Sequence, residues 1–99
     1  MQIIYEYHDV SASDRLEEMA AKKLNQLQEK FDFVHRADVF FKTENRTDDQ
    51  EMQCDIRLSL PGPRLFASSQ ATDFERAILE TVKDLEDQLR KVKEKMGAR

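Results

Sequence analysis

Two histidines, one cysteine and an unusual number of charged side chains are the groups in this 99-residue chain that could do chemistry. His8 and His35 stand in different segments, and neither has a cysteine or carboxylate at a metal-ligand spacing, so both read as surface or strand-end residues. Cys54 has no second cysteine to pair with, which excludes an intramolecular disulfide and points to a reducing compartment. There are 20 Asp and Glu residues, but acid/base catalysis needs two carboxyls at a fixed separation in a pocket, and these fall on polar faces of the elements read below. Two glycines are too few for a phosphate-cradling loop. The sequence therefore carries no catalytic constellation, and no cofactor, metal or small-molecule substrate is expected.

The cations are more informative. At about 100° per residue, Arg15, Lys22, Lys23 and Lys30 fall on one flank of a first helix, with Asp14, Glu17, Glu18 and Glu29 on the other. A second helix turns basic after Asp87, where Arg90, Lys91, Lys93, Lys95 and Arg99 outnumber Glu94. Such a surface can contact phosphates, and equally a solvated helix end gathers lysines near the negative pole of its dipole. A net charge of -4 excludes general attraction to nucleic acid, so any basic function has to be local.

Those cations need elements to carry them. Charged residues make up 36% of the chain, yet Leu, Ile, Val and Phe supply about a quarter, enough for one small core. We read residues 1–99 as a single domain. Ile3, Tyr5 and Tyr7 alternate with Gln2, Glu6 and His8 as a first strand, Ile4 excepted. Ser11 with Asp14 gives a capping-box-like start to helix one, whose stripe is Leu16, Ala20, Leu24, Leu27 and Phe31. Arg36 to Glu44 forms a second strand, with Phe40 on its polar side. Residues 45–49 form a turn, and Met52, Cys54, Ile56, Leu58 and Leu60 then alternate with Gln53, Asp55, Arg57 and Ser59, one face core and one wet. Pro61, Gly62 and Pro63 deliver an antiparallel neighbour around Leu65 to Ser68. Thr72 caps helix two, whose stripe runs Phe74, Ile78, Thr81, Val82, Leu85, Leu89 and Val92 before Gly97. The fold class is α+β, in the order βαβββα, with two amphipathic helices on one face of a small, mostly antiparallel four-stranded sheet. No segment approaches the length of a membrane span, and the chain is expected in the cytoplasm.

The pattern as a whole resembles the ribosome hibernation promoting factor and ribosome-associated inhibitor family, also described as sigma-54 modulation proteins. The residues that carry the resemblance are Val10 and Ser11, Lys22, Lys23, Leu24, Leu27, Lys30 and Phe31, then Phe66, Ala67, Asp73, Ala77 and Ile78, and last Leu85, Gln88, Leu89, Lys91 and Lys93. The resemblance implies a βαβββα fold related to double-stranded RNA-binding domains. It also implies a nonenzymatic factor that sits on the small ribosomal subunit near the decoding centre, contacts its ribosomal RNA and blocks translation in slow-growing cells. Lys22, Lys23, Lys30, Lys91 and Lys93 stand where the family is basic, and with Arg90 and Lys95 they form the expected nucleic-acid contacts. By the same resemblance the chain reads as a short form, without a second domain or acidic tail, of the type that favours pairing of two ribosomes. Asp84 and Asp87 stand where the family is usually basic, just before Leu85 and Gln88, and anions there weaken attraction to phosphate. That departure fits an alternative, a protein-interaction or regulatory module on the same scaffold.

Overall fold

The computed structural model describes residues 1–45 and 50–97. Its elements run β1 (Gln2–His8), α1 (Asp14–Lys30), β2 (Arg36–Asn45), β3 (Gln50–Ser59), β4 (Arg64–Ala71) and α2 (Phe74–Gly97). The sheet order is β1-β2-β3-β4. β1 pairs in parallel with β2, Gln2 opposite Arg36 and His8 opposite Lys42, while β2–β3 and β3–β4 are antiparallel. A parallel pair needs a crossover, and α1 is that crossover. Pro61 and Pro63 flank Gly62, whose φ of 102° supplies the left-handed residue that the β3–β4 connection requires.

Alternation along β2 and β3 sends Ala37, Val39, Phe41, Cys54, Ile56 and Leu58 to one face, all of them fully buried. The stripes of both helices cover that face, with Ala20 and Leu24 from α1 and Ala77, Ile78, Leu85 and Leu89 from α2. Burying each large aliphatic side chain contributes about 1.5–3 kcal/mol. Phe41 lies at the centre, stacked on Tyr7 at 5.2 Å and edge-on to Phe74 at 5.5 Å. β1 is tied to α1 by its tyrosines: Tyr5 donates to the Glu17 carbonyl at 3.0 Å and Tyr7 to the Glu17 carboxylate at 2.6 Å. Thr81, buried among apolar side chains, places its hydroxyl 3.0 Å from the Cys54 carbonyl and 2.8 Å from the Ala77 carbonyl, linking α2 to β3.

Several local expectations are corrected. The cap of α1 is Ser13, whose hydroxyl accepts from the Leu16 N–H, and not Ser11. Asp73, not Thr72, caps α2 by accepting from the Arg76 N–H at 2.8 Å. In both cases the residue nearest the first turn reaches the free N–H groups. Asn45 closes β2 instead of opening a turn, and the rest of that expected turn, residues 46–49, lies outside the described residues, as does Arg99. Met52 is half-buried near the sheet's end, not core. The polar side of the sheet is not uniformly wet: Asp38 and Asp55 are only 6% and 5% exposed. Asp38 is held by Arg36 at 2.9 Å and Arg57 at 3.5 Å, and Asp55 by Lys42 at 3.2 Å with hydrogen bonds from Gln53 and Ser68. Although burial opposes ionisation, Ser68, Gln53 and Lys42 together keep the Asp55 carboxyl below its usual range.

Burial, with Asp55 alongside, pushes the Cys54 thiol up to about 12. The native thiol is therefore neutral and inaccessible, and a bulky thiol reagent modifies it only as fast as the domain unfolds; rapid labelling of the native protein would place β3 in the wrong register. Because this value lies above that of the unfolded chain, the thiol's contribution is whole below about pH 8.5 and is lost as pH rises, by at most about 1.4 kcal/mol per unit. Denaturant titrations from neutral to alkaline pH should show Cys54→Ala losing less stability than wild type. Thr81→Val keeps the shape but deletes the α2–β3 bond, and should lower the unfolding free energy by about 1–2 kcal/mol.

Candidate nucleic-acid interface

α1 and α2 lie side by side on the sheet and leave a shallow groove between them. Leu27 and Val82 form its floor, and Lys23 and Lys30 of α1 face Lys83 and Glu86 of α2 across it. Lys23 and Lys30 are seven residues apart, two turns, so both project from the α1 flank nearest α2. The other α1 flank turns to β1, where Glu17 meets the tyrosines. The charge polarity of α1 thus corresponds to two different neighbours.

Among the described residues two ion pairs join α1 to α2, Arg15 with Glu75 near the start of both helices and Lys30 with Glu86 in this groove. Lys30 Nζ donates to Glu86 Oε1 at 2.8 Å, and Arg90 Nη2 approaches Glu86 Oε2 at 3.6 Å. The Lys30 hydrogen bond, with further attraction from Lys30 and Arg90, holds the Glu86 carboxyl below its ordinary value despite slight desolvation. Arg90 also lies 3.4 Å from Asp87, and Lys93 extends the basic line by placing Nζ 5.7 Å from the Phe31 ring at the end of α1. Leu79 is an exposed apolar residue beside the groove.

Of the expected contact residues, Lys23, Lys30, Arg90 and Lys93 are brought to the side where the helices meet. Lys22 is exposed on the outer crest of α1. Lys91 and Lys95 share a helix flank with Asp84 and Gln88, and Gln88 donates to the Phe66 carbonyl at 3.0 Å, so that flank looks over β4 and away from the groove. Asp84 and Asp87 are exposed, Asp84 within 3.5 Å of Gln88. Lys83 is the groove residue that the sequence reading missed. Its signal was available: it precedes Asp84 by one 100° step, which turns the lysine toward α1 and the aspartate toward β4.

Among the described residues no group of three His, Cys, Asp or Glu side chains could hold a metal, and no helix is long and apolar enough to cross a membrane. A family model described as sigma 54 modulation protein / S30EA ribosomal protein matches residues 3–97. The chain belongs to that family. Its members are nonenzymatic, ribosome-associated modulation proteins. Among solved structures, a ribosomal subunit interface protein from Coxiella burnetii matches with a TM-score of 0.83 at 27% identity, over 94% of this chain and 98% of that one. The N-terminal domain of Protein Y from Thermus thermophilus matches with a TM-score of 0.81 at 21% identity, over 93% and 99%, and shows the same fold. No curated protein matches the chain. The family resemblance read from the residues stands.

Glu86 occupies two groove cations, and its removal tests whether they are available to a polyanion. Glu86→Gln should raise affinity for RNA and steepen its salt dependence, because Lys30 and Arg90 are freed to release counterions. Filter binding of wild type and variant to one RNA across a salt series measures this, and equal slopes would remove Lys30 and Arg90 from the interface.

Proposed function

We propose that the protein is a ribosome-binding regulator of translation. It seats the groove between its helices on ribosomal RNA of the small subunit near the decoding centre and keeps messenger and transfer RNA out by its bulk. The observation that carries this reading is the convergence of Lys23, Lys30, Lys83 and Arg90 along one interhelical groove in a chain whose net charge is -4. A family of ribosome-associated proteins and a similar structure described as a ribosomal subunit interface protein support it. Residues 1–99 act as one binding unit in the cytoplasm, and the mechanism is steric and electrostatic. The body measures 51 × 24 × 18 Å, an elongated plug held by phosphate contacts along its length. In this reading Lys23, Lys30, Lys83, Arg90 and Lys93 are primary contacts, Lys22 is secondary, and Lys91 and Lys95 reach RNA only where it wraps toward β4.

Exposed Asp84 and Asp87 favour the second reading, a protein-interaction module on the same scaffold with weak RNA affinity. Pelleting with purified small subunits across a salt series separates the two. Phosphate binding predicts steep loss of pelleting with salt, a further loss of about tenfold or more when Lys23 and Lys83 are both changed to Glu, and a smaller effect of Lys91→Glu. Pelleting that is insensitive to salt and to these reversals would establish the protein-interaction reading instead.

A further inference from the structure

The face of the sheet turned away from the helices carries a second basic cluster. Across β2, β3 and β4, Arg36 pairs with Ser59 and Ser59 with Arg64, while the adjoining row on the same face is Asp38, Arg57 and Phe66. The three arginines, Ser59 and Asp38 line a recess of about 140 Å³. At roughly 30 Å³ per water, that is the space of a few waters and admits a tetrahedral anion.

The charges in this corner are arranged, not scattered. Asp38 is almost fully buried and accepts from Arg36 Nε at 3.2 Å and Nη2 at 2.9 Å on one oxygen, while Arg57 Nη2 lies 3.5 Å from the other. One carboxylate thus fixes two guanidiniums without neutralising both. Arg57 is further held with its guanidinium carbon 5.8 Å from the Phe40 ring centre. Arg64 is exposed and has no ion-pair partner among the described residues. Three cations around one anion leave two positive charges beside the Ser59 hydroxyl, and guanidinium forks suit phosphate oxygens.

Phe66, two residues along β4 from Arg64 on the same face, is 54% exposed, the largest exposed ring of the described chain. A large apolar ring left bare beside an arginine cluster has the two components that single-stranded nucleic acid requires, a stacking surface for a base and cations for its backbone. A duplex offers phosphates but keeps its bases stacked inside. We propose that this corner of the open sheet face binds single-stranded RNA, with Arg36, Arg57 and Arg64 taking a backbone phosphate and Phe66 stacking on the adjoining base. The site is separate from the interhelical groove, so the domain holds RNA on two opposite surfaces.

The test is fluorescence anisotropy with a labelled single-stranded oligouridylate of about eight nucleotides, within the range of known single-strand sites, and the full chain. Arg64→Glu and Phe66→Ala remove groups whose side chains support nothing else in the fold, and unchanged melting temperatures confirm that the variants are folded. Each should weaken oligonucleotide binding by about tenfold, given the usual worth of a stacked base, and by more than the groove variant Lys23→Glu with Lys83→Glu weakens it, since the backbone phosphate of this ligand is held at the sheet. Small-subunit pelleting by the groove variants reads the other surface, so the two proposals fail separately. Wild-type affinity in both sheet-face variants overturns this site, as does loss of oligonucleotide binding in the groove variant alone. Equal competition by a duplex of the same length overturns the single-strand assignment. Salt-insensitive binding affected only by Phe66→Ala overturns the phosphate contact.

Discussion

A sheet with both helices on one side has to satisfy its other face with its own side chains, and most of this structure answers to that constraint. β2 and β3 are flanked by strands on both sides, so a side chain on their open face is crowded even where no helix covers it. Asp38 and Asp55 stand at such positions and are buried. A buried carboxylate is tolerated when it is paired and hydrogen-bonded, and Arg36 on the same strand with Arg57 and Lys42 on neighbouring strands do this. The same alternation sends Val39, Phe41, Ile56 and Leu58 under the helices. A slip of one residue would put the carboxylates in the core and the core side chains on the surface, so the polar pairs and the apolar core specify one register together.

The sequence disclosed what depends on period and composition. The alternation from Cys54 to Leu60, the stripe from Leu16 to Leu27 and the stripe from Ile78 to Leu89 gave the elements and their buried faces. It did not disclose which of two nearby polar residues caps a helix, because Ser11 and Ser13, or Thr72 and Asp73, offer similar oxygens and only backbone geometry chooses between them. Nor did it reveal the burial of Asp38 and Asp55, since crowding on a sheet depends on which strands are central. The parallel pairing of β1 with β2 is likewise a tertiary fact.

The cations were legible by charge but not by direction. A count of cations on α2 treats Lys91 and Lys93 alike, yet 200° of helix separates them, and only Lys93 meets Phe31 at the end of α1. Lys83 was passed over because Asp84 follows it, and their opposite charges cancel in a linear reading. Folding separates the two onto different flanks, which is how a protein of net negative charge presents a basic groove.

The parallel pairing of β1 also fixes an order of assembly during synthesis. β1 is the first of the six elements made, but it has no strand to join until residues 36–42 exist, whereas β2, β3 and β4 follow one another as antiparallel neighbours. The last element, α2, brings Ile78, Leu85 and Leu89, without which the inner face of the sheet stays open to water. The groove takes one wall from α1 and the other from α2, the second and the sixth elements made. A nascent chain therefore owns neither a closed core nor that groove until the sixth element has emerged.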